Sequence, residues 1–390
     1  MDIQLIRKQT LGSGNAIHFN NAGAALMPQT VADAIRDYIT EEELHGGYET
    51  ADRRRAELDL FYDYGAQLLH CKSGNIAFTT NATDSYNRAL SSVSFKAGDV
   101  ILVTENDYPS NFIVLLSLQH RFGIKVVRVA NTETGEIDLG DLEDKIIRYQ
   151  PRLLSVTHIP TSSGLIQPVE EIGQIVKKYD VLYLLDACQS LGQLKVDAVA
   201  TGADFISGTF RKFLRGPRGA GILYVSDKAL KAGFEPMFID LRGAEWTAAD
   251  QYSPRKDAKR FEDWETAYSL MMGSSEALRY LLDIGIDQIA SRNKSLTDTL
   301  KAGLSQIDFI KLQDRGKKQG SILTFSCGKR REMETKKYFT DQHIHIYTTA
   351  KSNAIIDFAE KNVDWVVRVS PHYYNTEEEI KTFIKAVENL

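Results

Sequence analysis

YLLDACQSLGQLKVDAVATGADFISGTFRKFLRGPRGAGILYV, residues 183–225, contains three short apolar runs (YLLDA, DFISG and GILYV) separated by turn-forming residues. Runs of this length between turn signals predict buried strands. An acid, Asp186, then stands at the end of one strand and a lysine, Lys212, follows another. Upstream, NIAFTT, DVILVTE, IKVVRVA and LLSVTHI repeat the pattern, and helical patterns at 84–94, 111–122 and 169–179 alternate with these runs. Strands that are apolar on both faces, alternating with helices, predict a mostly parallel sheet covered on both sides, with ligands bound beyond the carboxyl ends of its strands. After about residue 260 the texture changes. Long helical patterns (265–283, 286–306) precede short strands (SILTF, HIHIY, WVVRVS) and a closing helix from Thr376. The chain thus divides into an N-terminal segment, 1–40, joining two domains; a large domain, 41–259; and a smaller α+β domain, 260–390.

At 390 residues the chain exceeds one ordinary core, in keeping with two domains. Hydrophobic residues at 43% and charged residues at 25% match average soluble composition, and no run of 18 apolar residues predicts a membrane span. A net charge of -5 disfavours a nucleic-acid partner, which calls for a basic face. The opening MDIQLIRKQTLGSGN lacks the apolar core of a secretory signal, and three scattered cysteines form no disulfide framework. A cytoplasmic protein acting on a small molecule is the expectation.

The polar groups at the strand ends match the needs of one cofactor. Pyridoxal 5′-phosphate requires an amine to form an imine, a carboxylate that keeps its ring nitrogen protonated, a partner for its phenolic oxygen and an anion site for its phosphate. Lys212, Asp186 and Gln189 fit the first three needs. Lys212 reacts as a free amine only if burial and a positive neighbour such as Arg211 lower its pKa. For the phosphate, TTNATDSYNRAL (79–90) runs from strand into helix, so the N–H groups of Ala82 and Thr83 would face an anion at the helix N-terminus. Thr209 and Arg211 would complete the cradle from the other side. Singly, each residue has a plainer reading: Thr83 as an N-cap, Asp186 as a turn residue, Lys212 in a solvated basic loop. Their combination carries the chemistry.

SGTFRKFLRGPRGAGILYV resembles the cofactor-lysine segment of class V aminotransferase-like enzymes, the group that contains cysteine desulfurases, isopenicillin-N-epimerase-like proteins and hercynylcysteine sulfoxide lyases. The resemblance runs from HFNNAGAALMP (18–28) through TTNATD, DACQS and RFEDWE (260–265) to VRVSPHYYNTEEE (367–379). It implies an α/β protein of fold type I, with a seven-stranded, mostly parallel sheet in the large domain and a smaller C-terminal domain, working as a homodimer. It implies that Lys212 is the Schiff-base lysine, Asp186 the pyridinium partner and Gln189 the phenolic-oxygen partner. Thr83, Thr209 and Arg211 fall at phosphate positions, although desulfurases often carry histidine at the last. Tyr108, in ENDYPSN, falls where relatives stack a ring on the cofactor, and Thr161, in THIPTSSG, where they line the site. Arg368 matches the arginine that pairs with the substrate α-carboxylate. The HGGYE loop (45–49) and the segment around Trp264 and Thr266 resemble parts that close the site, sometimes from a neighbouring subunit.

The chain departs from the desulfurases in one respect. They carry a catalytic cysteine on a loop shortly before the carboxylate-binding arginine, and the equivalent stretch here, IYTTAKSNAIIDFAEKN (346–362), has no thiol; Cys71, Cys188 and Cys327 lie elsewhere. Phosphate loops for dinucleotides or nucleotides and a serine-hydrolase elbow are missing from the expected places. His343 and His345 alone make no metal site, so no metal is expected. The expected function is Cα chemistry on an amino acid, as a transaminase or carbon–sulfur β-lyase. Epimerisation by the same family is the alternative, and a non-catalytic cofactor-binding sensor is the alternative from a different class.

Overall fold

The computed structural model describes residues 1–328 and 330–390. Seven strands form one sheet whose spatial order is Ile76–Thr79, Gly221–Val225, Phe205–Thr209, Leu182–Asp186, Leu153–Thr157, Val100–Val103, Lys125–Arg128. All run parallel except Gly221–Val225, which is antiparallel to both neighbours. Six strands are buried along their whole length, and alternate residues feed opposite cores: Tyr183 and Leu185 face one, Leu182 and Leu184 the other. Only the edge strand Lys125–Arg128 exposes charged ends, which protect an open edge from further pairing. The register sets Thr157 beside Asp186 and Asp186 beside Ser207, while Thr209 pairs with Gly221 and Gly221 with Thr79. The carboxyl ends of the parallel strands and the amino end of Gly221–Val225 therefore share one rim.

A four-stranded antiparallel sheet, ordered Ile310–Leu312, Leu323–Cys327, Trp365–Val369, Tyr347–Ala350, builds a second core with Leu296, Leu300, Phe339 and Phe383. Its closing helix, Glu377–Glu388, starts in a capping box of Thr376 and Glu379. HIHIY divides in two: Ile344–His345 pairs in parallel with Ile17–His18, and Tyr347–Ala350 joins the sheet. Residues 1–40 bridge the two sheets, because Ile17–His18 joins the C-terminal part while Ala25 N donates to Arg211 O (2.8 Å). The helix Tyr268–Ile284 lies beyond the expected boundary at 259, yet it buries Met271, Leu278 and Leu281 in the large core. HGGYE, expected as a loop, is a break between helices: Gln29–His45 stops at Gly46 (φ 90°) and Gly47–Arg53 follows at once. Among the described residues, no helix is long and apolar enough to cross a membrane.

Candidate active site

Turn geometry fixes the lysine loop. Gly216 N donates to Phe210 O (2.8 Å) and Arg215 N to Lys212 O (2.9 Å). Arg215 closes the loop at φ 57°, a conformation that costs a non-glycine residue about 1–2 kcal/mol. Its own side chain holds it there. Nε donates to Leu26 O (2.8 Å), Nη1 to the Tyr373 hydroxyl (2.7 Å) and Nη2 to Thr10 Oγ1 (2.6 Å), and the guanidinium lies over the rings of Tyr373 (5.0 Å) and Tyr374 (4.5 Å). The loop rests on Gly192 (φ 90°), where a Cβ would come within 2.4 Å of the Phe213 backbone, so only glycine fits.

The loop presents Lys212 to a crevice of about 320 Å³ lined by Ala82, Thr83, Tyr108, Thr161, Asp186, Gln189, Thr209 and Arg211, all expected from the sequence. Lys212 is buried, which pushes its amine below the ordinary lysine range, with Arg211 and Arg368 acting in the same direction. Its Nζ lies 5.9 Å from the centre of the Tyr108 ring and has no hydrogen-bond partner among the described residues. Asp186 accepts from Asn111 Nδ2 (2.9 Å) and from Cys188 N (2.9 Å), which hold the carboxylate in one orientation. The helix Ala82–Ser91 is capped by Asn81, whose side chain accepts from Asp84 N (3.0 Å). Thr83 is therefore not the cap, and its hydroxyl is free beside the first-turn N–H groups, which have no acceptor within a helix. Gly221 lets this helix start close to the antiparallel strand, since a Cβ there would meet Asn81 C at 2.6 Å.

Arg368 lines an adjoining hollow with Asn20, Tyr347, Thr349 and Asn353; the two hollows share Tyr108, Thr161, Arg211, Lys212 and Arg218. Arg368 Nη1 donates to Thr161 O and Thr161 Oγ1 (2.9 Å each), Nη2 to Asn20 Oδ1 (3.2 Å), and buried Nε has no partner. Burial without an acid lowers its pKa to about 10. Gln189 Nε2 donates to Ala22 O and Thr161 Oγ1 (3.1 Å each), and its buried Oε1 has no partner. Both Nε2 donors are thus engaged, so Gln189 must release one of them to donate to a phenolic oxygen. Asn20, Ala22, Asn111 and Arg218 escaped the sequence reading. Asn111 was the most accessible of them, three residues after Tyr108 on the turn that enters the helix Pro109–Phe122.

The family model for aminotransferase class-V matches residues 17–383. The chain belongs to that family. Relatives similar over nearly full length include a probable cysteine desulfurase of Pyrococcus abyssi, 26% identical across 99% of this chain and 96% of its own. Another, of Methanothermobacter thermautotrophicus, is 29% identical across 100% and 96%. Among solved structures, the apo cysteine desulfurase of Thermococcus onnurineus NA1 superposes with a TM-score of 0.91 at 26% identity, covering 100% of this chain and 98% of that one. A cystine C–S lyase in complex with cysteine persulfide, 22% identical with a TM-score of 0.87 over 98% of this chain and 100% of its own, shares the fold. This class V member is a pyridoxal-phosphate-dependent enzyme of fold type I. Its residues fit the cofactor: the amine of Lys212 is unpaired, the first-turn N–H groups at Ala82 and Thr83 await an anion, and the Asp186 carboxylate is oriented by two donors.

Proposed function

We propose that this enzyme is a carbon–sulfur β-lyase acting on an amino acid. The observation that carries the reading is the buried Arg368 beside Lys212, because a fixed guanidinium with free donors next to the reactive amine seats an α-amino acid by its carboxylate. The names of the relatives, cysteine desulfurases over the full length, supply the sulfur.

Asp186 would face the ring nitrogen of pyridoxal phosphate, Lys212 would bind it covalently, and Thr83, Thr209, Arg211 and the N–H groups of Ala82 and Thr83 would take its phosphate. Tyr108 would cover one ring face. When bound, the cofactor supplies a sink for the electrons released at the substrate Cα. Arg368 holds the α-carboxylate, and Thr161 and Asn20 hold Arg368, so the Cα–H bond is fixed relative to Lys212. Lys212, once displaced by the substrate amine, takes the Cα proton; burial lowers its pKa and so favours the free amine that this step needs.

Sulfur would leave directly, without capture by a protein thiol. The Arg368 hollow is lined by hydroxyls and amides from Thr349, Tyr347 and Asn353, with no cysteine among its described residues. Cys188 does line the Lys212 crevice, but burial pushes its thiol well above the ordinary range, away from the thiolate that attacks sulfur. Incubation with cysteine and a reductant should release pyruvate and sulfide and leave the intact mass unchanged. Alanine together with a persulfide on Cys71, Cys188 or Cys327, lost on mutation of that residue, would overturn the reading. We further propose a cytoplasmic location and a homodimer, the latter supported by the exposed apolar side chains of Tyr48, Phe238 and Trp246.

A further inference from the structure

Arg218 stands on the exposed rim where the Lys212 crevice and the Arg368 hollow meet, and it lines both. Three arginines, Arg211, Arg218 and Arg368, line these hollows among the described residues, against one carboxylate, Asp186. Such an excess of like charge is unfavourable until anions arrive. Arg211 registers it: burial first, and then Arg218, lowers its pKa. Two anions are already accounted for, the cofactor phosphate near Arg211 and the substrate α-carboxylate at Arg368. The other arginines are held by partners, Arg211 by Gly23 O and Arg368 by Thr161 and Asn20, whereas the Arg218 guanidinium makes no hydrogen bond or ion pair among the described residues. An arginine fork left free at the mouth of an amino-acid site matches a further planar or tetrahedral oxyanion.

We propose that Arg218 is a specificity-determining residue that binds a second anionic group at the end of the substrate side chain, so that the preferred substrate is an amino acid whose β-sulfur carries an oxyanion. The proposal rests on the β-lyase reading above. With S-sulfocysteine as the probe, the Cα proton passes to Lys212, the Cβ–S bond breaks with its electron pair on sulfur, and thiosulfate leaves. The remaining three-carbon unit takes up one water to give pyruvate and ammonia, so no oxidant or reductant is needed. Arg218 would hold the terminal sulfonate and stabilise the charge that grows on the departing group.

The test compares kcat/KM for S-sulfocysteine with that for β-chloroalanine, whose side chain is neutral, in the wild type and in Arg218→Ala, Arg218→Lys and Arg218→Glu. The ratio should fall at least about tenfold in the alanine variant, recover in part with lysine and fall further with glutamate. A binding measurement that does not depend on product formation runs alongside: the visible band of the holoenzyme is titrated with L-cysteate and with L-alanine. The wild type should prefer cysteate, and Arg218→Ala should lose that preference. If neither reactive compound yields pyruvate but the cysteate preference disappears in the variant, the lyase reading fails and the assignment of Arg218 stands. If pyruvate forms and both the ratio and the preference survive the substitution, the assignment of Arg218 is overturned. A tenfold loss of pyridoxal-phosphate affinity in the apoenzyme variant, with the preference intact, would place Arg218 on the phosphate and also overturn it.

Discussion

Replacing Arg368 tests the substrate site, and the expected size follows from counting its donors. A guanidinium has five N–H groups. Two on Nη1 go to Thr161 and one on Nη2 to Asn20, which leaves Nε–H and one Nη2–H. Nε and Nη2 together form the edge of the guanidinium plane that a carboxylate takes side-on. Hydrogen bonds to charged groups contribute about 1.5–3 kcal/mol. The pair shares one desolvation, so a joint loss of about 2–3 kcal/mol is expected, or about 30- to 150-fold. Arg368→Ala should raise KM for the amino acid by that factor, with a smaller fall in kcat from the lost alignment of the Cα–H bond. Arg368→Lys should fall between, since an ammonium cannot present two parallel donors. Initial rates over a wide concentration range, with titration of the visible cofactor band as an independent measure of binding, read the effect. A KM within twofold of wild type, or a loss carried by kcat alone, would refute the role.

Lys212→Ala should abolish the lysine-bound cofactor, its visible band and its trapping by borohydride; a variant that keeps the trapped adduct would refute the assignment. Asp186→Asn should keep cofactor yet lose most turnover, since a neutral amide cannot hold a proton on the ring nitrogen, and near-normal rates would count against it. Asp107 gives a pH signature. Burial raises its carboxyl to about 7, whereas the unfolded chain titrates it near 3.9, so its contribution to stability is fully present below about pH 4 and is lost as pH rises to 7. Asp107→Asn keeps an acceptor for Thr157 N and Thr104 Oγ1 and replaces the unpartnered Oδ2, so its melting temperature should exceed wild type at pH 8 and match it near pH 4. A gain that does not vary with pH would refute that account. Light scattering should find a dimer, and a fully active monomer would remove that proposal.

The strands were legible because burial on both faces leaves an unbroken apolar run, as in VLYLLDA and LLSVTHI. The reversed direction of Gly221–Val225 was not, since nothing local in GILYV encodes the sense of a strand that pairs on both sides. The pairing of Ile17–His18 with Ile344–His345 was equally hidden, being set by partners at opposite ends of the sequence. At the site, Lys212, Asp186, Gln189 and Thr83 could be read because each sits at a local strand–turn junction. Asn20 and Asn111 could not, because each matters only through the group it meets across the fold, Arg368 and Asp186. Thr161 was expected to line the site; that it anchors both Arg368 and Gln189 emerged only from tertiary contacts.

The clamp on Arg215 also has a consequence for the order of folding. Its ligands come from residues 10, 26 and 373, so the loop bearing Lys212 is tied to both ends of the polypeptide. Ties of such high contact order close late, after the locally connected βαβ units. A nascent or C-terminally clipped chain can therefore build much of the large sheet and already place Asp186 while the lysine loop is still unfixed. A complete cofactor site, with Lys212 set against Asp186, is then reached only in chains whose two ends have both docked.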